Sequence, residues 1–96
     1  MGRRLQTHRR NLFYAGNPLN APISAALLFN GDLVVGNTGD NRLVELAPSG
    51  HVLGTRLVDG GVAGAIFGIA ASGTSADTTR IYFNDDNDNT VKRLAH

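Results

Sequence analysis

The sequence predicts an all-β chain of short antiparallel strands, and three observations carry that prediction. Turn-forming residues recur every few positions: 12 Gly and 3 Pro are joined by 9 Asn and 7 Asp in a chain of 96 residues. The apolar runs between them are short, and six residues between turn signals are too few for a helix to stand alone. The order of strands and turns then starts again further along the chain, which is the signature of a repeat architecture.

The elements follow in order. Ile23 to Phe29 is an apolar run closed by Asn30-Gly31, and Leu33-Val34-Val35 follows at once, so a strand, a hairpin turn and a second strand are expected. Residues 36–41 interrupt the pattern, Arg42 to Leu46 resumes it as a third strand, and Ala47-Pro48-Ser49-Gly50 ends that strand. His51 to Val58 is the fourth, stopped by Asp59-Gly60-Gly61. One four-stranded meander is thus complete.

Leu33 to Leu46 lies on Ile81 to Leu94 at a constant offset of 48 residues, with Asp40 on Asp88, Asn41 on Asn89 and Leu46 on Leu94. Upstream, Ile66 to Gly73 matches the first strand and its turn at an offset of 42, leaving a six-residue insertion in the polar stretch from Thr74 to Arg80. Turn chemistry recurring at the same point of each meander favours propeller blades over a small Greek-key barrel, which would use similar strands without that recurrence. The expected architecture is a partial β-propeller of two four-stranded antiparallel meander blades. Residues 1–16 form an irregular basic tail, 17–61 the first blade, and 62–96 a second, incomplete one.

Composition narrows the function classes. Without cysteine there is neither a disulfide framework nor a thiolate metal site. Arg3, Arg4, Arg9 and Arg10 hold four of the nine basic residues, so residues 11–96 carry five basic against eight acidic side chains. A basic tail on a mildly acidic body does not make a nucleic-acid-binding face. No apolar run approaches the roughly 18 residues of a spanning helix. The Arg9-Arg10 pair is followed by the turn-rich stretch Tyr14 to Pro22 and not by an apolar core with a cleavage site, so no signal peptide is read and the compartment stays open.

Leu33-Val34-Val35-Gly36-Asn37-Thr38-Gly39-Asp40-Asn41-Arg42-Leu43 resembles the core of an NHL repeat: an apolar strand, Asp, Thr, Gly, Asn, a polar residue, Arg and another apolar strand. Thr38, Gly39 and Arg42 match outright, while Asn37 stands at the usual Asp and Asp40 at the usual Asn. Ile81 to Val91 is similar to a degenerate copy, with Asp85 at the Asp position and Thr90 in place of Arg. From Asn17 onward the chain is similar to the last two blades of bacterial NHL-type propellers, which are often exported and loosely grouped with gluconolactonase-like six-bladed folds. The resemblance implies blades around a central channel, with no assigned reaction in most members and metal-dependent lactonases or lyases in a minority. It also implies that Arg42 ties one blade to its neighbour by packing.

Each candidate site has a structural competitor. Asp85-Asp86-Asn87-Asp88-Asn89 has oxygen ligands suited to calcium, but Thr90 at its sixth position and His96 at its twelfth break the helix-loop-helix calcium pattern. A turn held by Asx side chains is the favoured reading. Asn37 and Asp85 fall at equivalent strand ends and are the candidate ligand-binding pair; bonding to neighbouring loops is the alternative. Thr38, Gly39, Asp40, Asn41, Arg42, Asp88 and Asn89 are taken as structural repeat positions. His8, His51 and His96 lack metal-ligand spacing, and Ser24, Ser49, Ser72 and Ser75 lack a nucleophile-elbow context. Gly60 to Gly64 has no phosphate-loop lysine.

No catalytic residue and no metal site is assigned, and no cofactor beyond a divalent metal in a parent ring. The expected function is a non-catalytic ligand-binding or protein-interaction scaffold, a fragment of an NHL-type propeller; the alternative is a fragment of a metal-dependent lactonase- or lyase-like enzyme. Its expected partners are the missing blades of a parent chain, or further copies closing a ring. No nucleic acid and no membrane span is expected.

Overall fold

The computed structural model describes residues 12–95. The tail arginines Arg3, Arg4, Arg9 and Arg10, and His8 and His96, lie outside them. Among the described residues the chain is all-β, with seven strands and no helix: β1 Pro22–Leu27, β2 Leu33–Asn37, β3 Arg42–Leu46, β4 Val52–Leu57, β5 Ile66–Ser72, β6 Arg80–Asp85 and β7 Thr90–Ala95. They form two antiparallel meanders, β1-β2-β3-β4 and β5-β6-β7. The second sheet therefore has three strands among the described residues and not four.

The strand ends follow from local chemistry. Between β1 and β2, Gly31 at φ 90° lets the chain reverse, the Leu28 N–H bonds the Asp32 carbonyl at 2.8 Å, and the Asn30 side chain accepts the Asp32 N–H at 3.0 Å. Phe29, expected at the end of the first strand, belongs to this turn and is half exposed. The β2–β3 and β6–β7 hairpins each close through four residues whose last member is an asparagine at positive φ, Asn41 at 55° and Asn89 at 59°. Asparagine tolerates this left-handed conformation better than a bulkier residue.

The two meanders share more than turns. Both first strands carry a bulge at the same place, between Pro22 and Ser24 in β1 and between Ile66 and Ile69 in β5. Ala25 faces Val35 while Ile69 faces Phe83, so the first strands correspond at an offset of 44, and the loop of residues 72–80 is four residues longer than its counterpart. The expected offset of 42 is thus corrected by two. Side chains alternate with period 2 along a strand, so such a slip preserves which residues face inward.

The sheets pack face to face, with β5 lying against β1 and β2. Val34 and Leu43 of the first sheet join Ile66, Ile81 and Phe83 of the second in one buried core, flanked by Ile69, Ala71 and Leu94. Each large apolar side chain fully buried here stabilises by about 1.5–3 kcal/mol. Gly36 makes the close approach possible: a Cβ there would lie 2.9 Å from both Ile66 Cγ2 and Ile69 Cδ1. The opposite face of the first sheet, with Val35, Val44 and Leu46, is covered by Tyr14 and Leu19. That face of the first sheet is therefore capped by the segment before β1, while on the second sheet's outer face Phe67 and Val91 stay exposed.

Replacing Gly36 by alanine is expected to cost about 1–3 kcal/mol through overpacking. Combining Gly36→Ala with Ile69→Ala should cost less than the sum of the two single changes, because the second makes room for the first. Urea denaturation of the four proteins checks this; additive costs would mean that β5 does not lie on Gly36.

Candidate functional site

The loops after β2 and β6, the connector of residues 58–65 and the segment before β1 converge at one end of the sheet pair. Their common feature is a set of short polar side chains that replace strand ladders where the backbone turns away. Thr38 donates its N–H to the Ala21 carbonyl at 3.0 Å, and Asp86 donates to Ala65 at 2.7 Å. These bonds are equivalent in the two repeats, each joining a hairpin to the chain entering its own first strand.

Asn41 holds the sheets together at this end. Its side chain is buried, donates Nδ2 to the Val62 carbonyl at 2.7 Å and accepts the Ala65 N–H on Oδ1 at 3.0 Å. The Asn41 carbonyl accepts from Val58 N–H, and the Thr38 carbonyl accepts from Gly64 N–H at 2.8 Å. The hairpin tip of the first sheet thus clamps the connector leading into the second. Gly39 is required next door, since any Cβ would overlap the Asn20 side chain at 1.9 Å.

The candidate pair Asn37 and Asp85 occupies equivalent, fully buried positions with different surroundings. Asn37 donates Nδ2 to the Pro18 carbonyl at 2.9 Å, and its Oδ1 has no hydrogen-bond partner among the described residues. Asp85 accepts the Asn87 N–H on Oδ1 at 3.1 Å and pairs through Oδ2 with Lys92 Nζ at 2.9 Å. Lys92 also reaches Asp88 at 2.8 Å. In the first repeat the same places hold Asn37, Asp40 and Val44, so the buried carboxylate and its lysine appear together where the first repeat has an amide and a valine.

Asp59 completes the cluster, accepting from Gly61 N–H at 2.7 Å and Asn87 Nδ2 at 3.1 Å. The Gly61 amide, then the Asn87 side chain, hold its carboxyl below the ordinary value of 3.8. Asp88 is likewise lowered, first by Lys92 and then by the Thr90 hydroxyl, while Asp88 and then Asp85 raise the Lys92 ammonium above its ordinary 10.5. Among the described residues, no group of three or more His, Asp and Glu side chains is placed to share a metal ion.

The side-chain hydrogen bonds between the hairpin after β2 and the connector run through Asn41, while Arg42 makes no side-chain hydrogen bond or ion pair among the described residues. Asp85 to Asn89 is a turn held by Asx bonds and by Lys92, with Thr90 Oγ1 donating to Asp88. Asp59 and Lys92 were not singled out from the sequence. Lys92 had a readable signal, because in a four-residue hairpin it sits diagonally across from Asp85, within reach of a long side chain. The sequence matches no protein-family model, and no curated protein matches it.

Asn41→Ala should cost about 2–4 kcal/mol, since it strands the buried Ala65 N–H and leaves alanine in a left-handed conformation. Asn89→Ala, whose side chain is exposed, should lose only the conformational part, about 1 kcal/mol. Equal losses in chemical denaturation would contradict the clamp. The ion pairs set a pH dependence. Lowered carboxyls at Asp59 and Asp88 stabilise above pH 3.8 and lose that contribution as pH falls through their folded values; raised Lys92 stabilises below pH 10.5 and loses it as pH rises through its folded value. Thermal melts should fall at both extremes. Lys92→Val should lower the melting temperature at neutral pH, and adding Asp85→Asn should restore part of it by recreating the first repeat's combination; no recovery would show that the lysine does not serve the buried carboxylate.

Proposed function

We propose that the chain is a pair of adjacent blades of an NHL-like β-propeller and acts as a non-catalytic ligand-binding or protein-interaction scaffold. The observation that carries this reading is the way the repeats stack. The first sheet contributes the face of Val34, Gly36 and Leu43 to the shared core. The second contributes Ile81, Phe83 and Leu94, which are the equivalents of Leu33, Val35 and Leu46 on the first sheet's opposite face. Unlike faces meet, so the same operation applied again adds another sheet, and repetition of such a heterologous contact generates a ring or an open array.

Two further features support it. Asn89 stands, in its left-handed conformation, where Asn41 clamps the connector to the next sheet. The second sheet's outer face carries exposed Phe67 and Val91 on the side to which a further sheet would pack. Asn37 and Asp85 are engaged by Pro18, Asn87 and Lys92, which favours a scaffold over a metal-centred lactonase or lyase. The packing partner is either further blades of a parent chain or other copies, roughly three of which would close a ring of about six blades once Tyr14 and Leu19 left the first sheet.

Light scattering with far-UV circular dichroism tests the reading. A β-rich spectrum with a mass that rises with concentration, and that falls to one chain in Phe67→Ser/Val91→Ser, is expected. A β-rich chain that stays monomeric at all concentrations would remove the self-association arm, and loss of β structure would contradict the blade pair itself.

A further inference from the structure

The hairpins after β2 and β6 put oxygen acceptors at equivalent places, and the second hairpin alone supplies its own cation. There Lys92 Nζ lies 2.9 Å from Asp85 Oδ2 and 2.8 Å from Asp88 Oδ2, so one ammonium group bridges the end of β6 and the turn that follows it. At the offset of 48 residues, Asn37, Asp40 and Val44 take the places of Asp85, Asp88 and Lys92. Val44 is fully buried and brings no charge. Among the described residues, Asn37 Oδ1 and Asp40 Oδ1 are both buried without a hydrogen-bond partner, and Asn37 as a whole is 0% exposed. Buried acceptors are bonded in the large majority of cases, so two orphans where the other repeat holds an ammonium call for a ligand.

Local bonding explains why the Asn37 oxygen is free and which way it faces. Asp85 Oδ1 accepts the Asn87 N–H at 3.1 Å, whereas the equivalent Gly39 N–H goes to the Asn20 carbonyl at 3.0 Å, so Asn37 receives no such bond. Its Nδ2 donates instead to the Pro18 carbonyl at 2.9 Å. Thr38 bonds Ala21 as Asp86 bonds Ala65, so Pro18 corresponds to Val62, whose carbonyl accepts Asn87 Nδ2 at 3.0 Å. The Asn37 nitrogen is therefore turned to the side of Asn87, and Oδ1 is left on the side where Asp85 holds Lys92. Arg42, directly across from Asn37, donates to neither oxygen. Asp40 is only partly buried, which leaves an approach from solvent.

We propose that the hairpin after β2 binds a primary ammonium group from outside the chain, held by N–H bonds to Asn37 Oδ1 and Asp40 Oδ1. An ammonium offers donors alone and this pair offers acceptors alone. Calcium asks for about six to eight oxygen ligands, whereas these two oxygens repeat a pair that already holds an ammonium in the second repeat. The inference names a ligand class for the scaffold reading, and it rests on the equivalence of the two hairpins that underlies that reading.

The test titrates the whole chain with methylammonium and, separately, with acetyl-lysine methylamide, following the Asn37 side-chain amide and the Gly39 N–H by heteronuclear NMR. Tetramethylammonium at equal ionic strength, a cation without an N–H donor, is the control. Saturable shifts with both amines and none with the control are expected; tighter binding of the lysine amide assigns the group to a partner's lysine, and tighter binding of methylammonium to a free amine. Asp40→Asn should weaken binding about tenfold, since a charged acceptor becomes a neutral one. Asn37→Asp/Val44→Lys, checked by circular dichroism for unchanged fold, rebuilds the second repeat's resident pair and should abolish the response. The proposal is overturned by absence of a saturable shift, as follows if Arg42 swings onto these oxygens, by an equal response to tetramethylammonium, by a response to calcium alone, or by unchanged binding in Asp40→Asn. The mass of the chain separates the two levels: a monomer that responds keeps the site and loses self-association, while an associating chain that does not respond loses the site alone.

Discussion

Two isoleucine side chains of β5 rest on the bare backbone of β2 at Gly36, and much of the structure is arranged around that contact. With no Cβ at Gly36, Ile66 and Ile69 approach closely enough to seal the core that Val34 and Leu43 share with Ile81 and Phe83. The bulge between Ile66 and Ile69 belongs to the same arrangement, since an extra residue sharpens the local twist of β5 where it crosses the first sheet. Glycine in a strand interior costs conformational entropy and packs no side chain of its own. Here that cost is offset by the apolar surface its absence of a side chain allows the second sheet to bury.

At the loop end, polar chemistry takes over from apolar packing. The connector between the sheets cannot join a ladder, so its carbonyl and amide groups are bonded by Asn41, a side chain with one donor arm and one acceptor arm. The paired substitution of Asn37 and Val44 by Asp85 and Lys92 follows the same logic. A buried carboxylate is tolerable only when a cation reaches it, and Lys92 does so from the adjacent strand while keeping part of its stem in solvent. The two repeats are thus the same scaffold with two local solutions to one buried polar position.

Most of the fold was legible in the sequence because strand and turn chemistry are local. Asn30-Gly31, Pro48-Ser49-Gly50 and the recurrence of Asn41 at Asn89 mark the reversals directly, and apolar runs between them leave little choice of element. The register of β1 against β5 was less legible, since an even slip leaves the inward pattern intact and only backbone pairing distinguishes 42 from 44. The site was harder still. Asn41 reads as a turn residue in the sequence, and its clamp on Val62 and Ala65 depends on how the connector folds back more than 20 residues later. The cap of Tyr14 and Leu19 over Val35 and Val44 is likewise a tertiary contact with no periodic signature.

The central claim is that unlike faces of two equivalent sheets meet at Gly36. Nuclear Overhauser contacts in the folded protein test it most directly. The account predicts cross-peaks from the Gly36 α-protons to the methyl groups of Ile66 and Ile69, together with the cross-strand peaks of β2 with β1 and β3. Cross-strand peaks without any Gly36-to-isoleucine contact would show two sheets that form but do not stack this way, and would contradict the account.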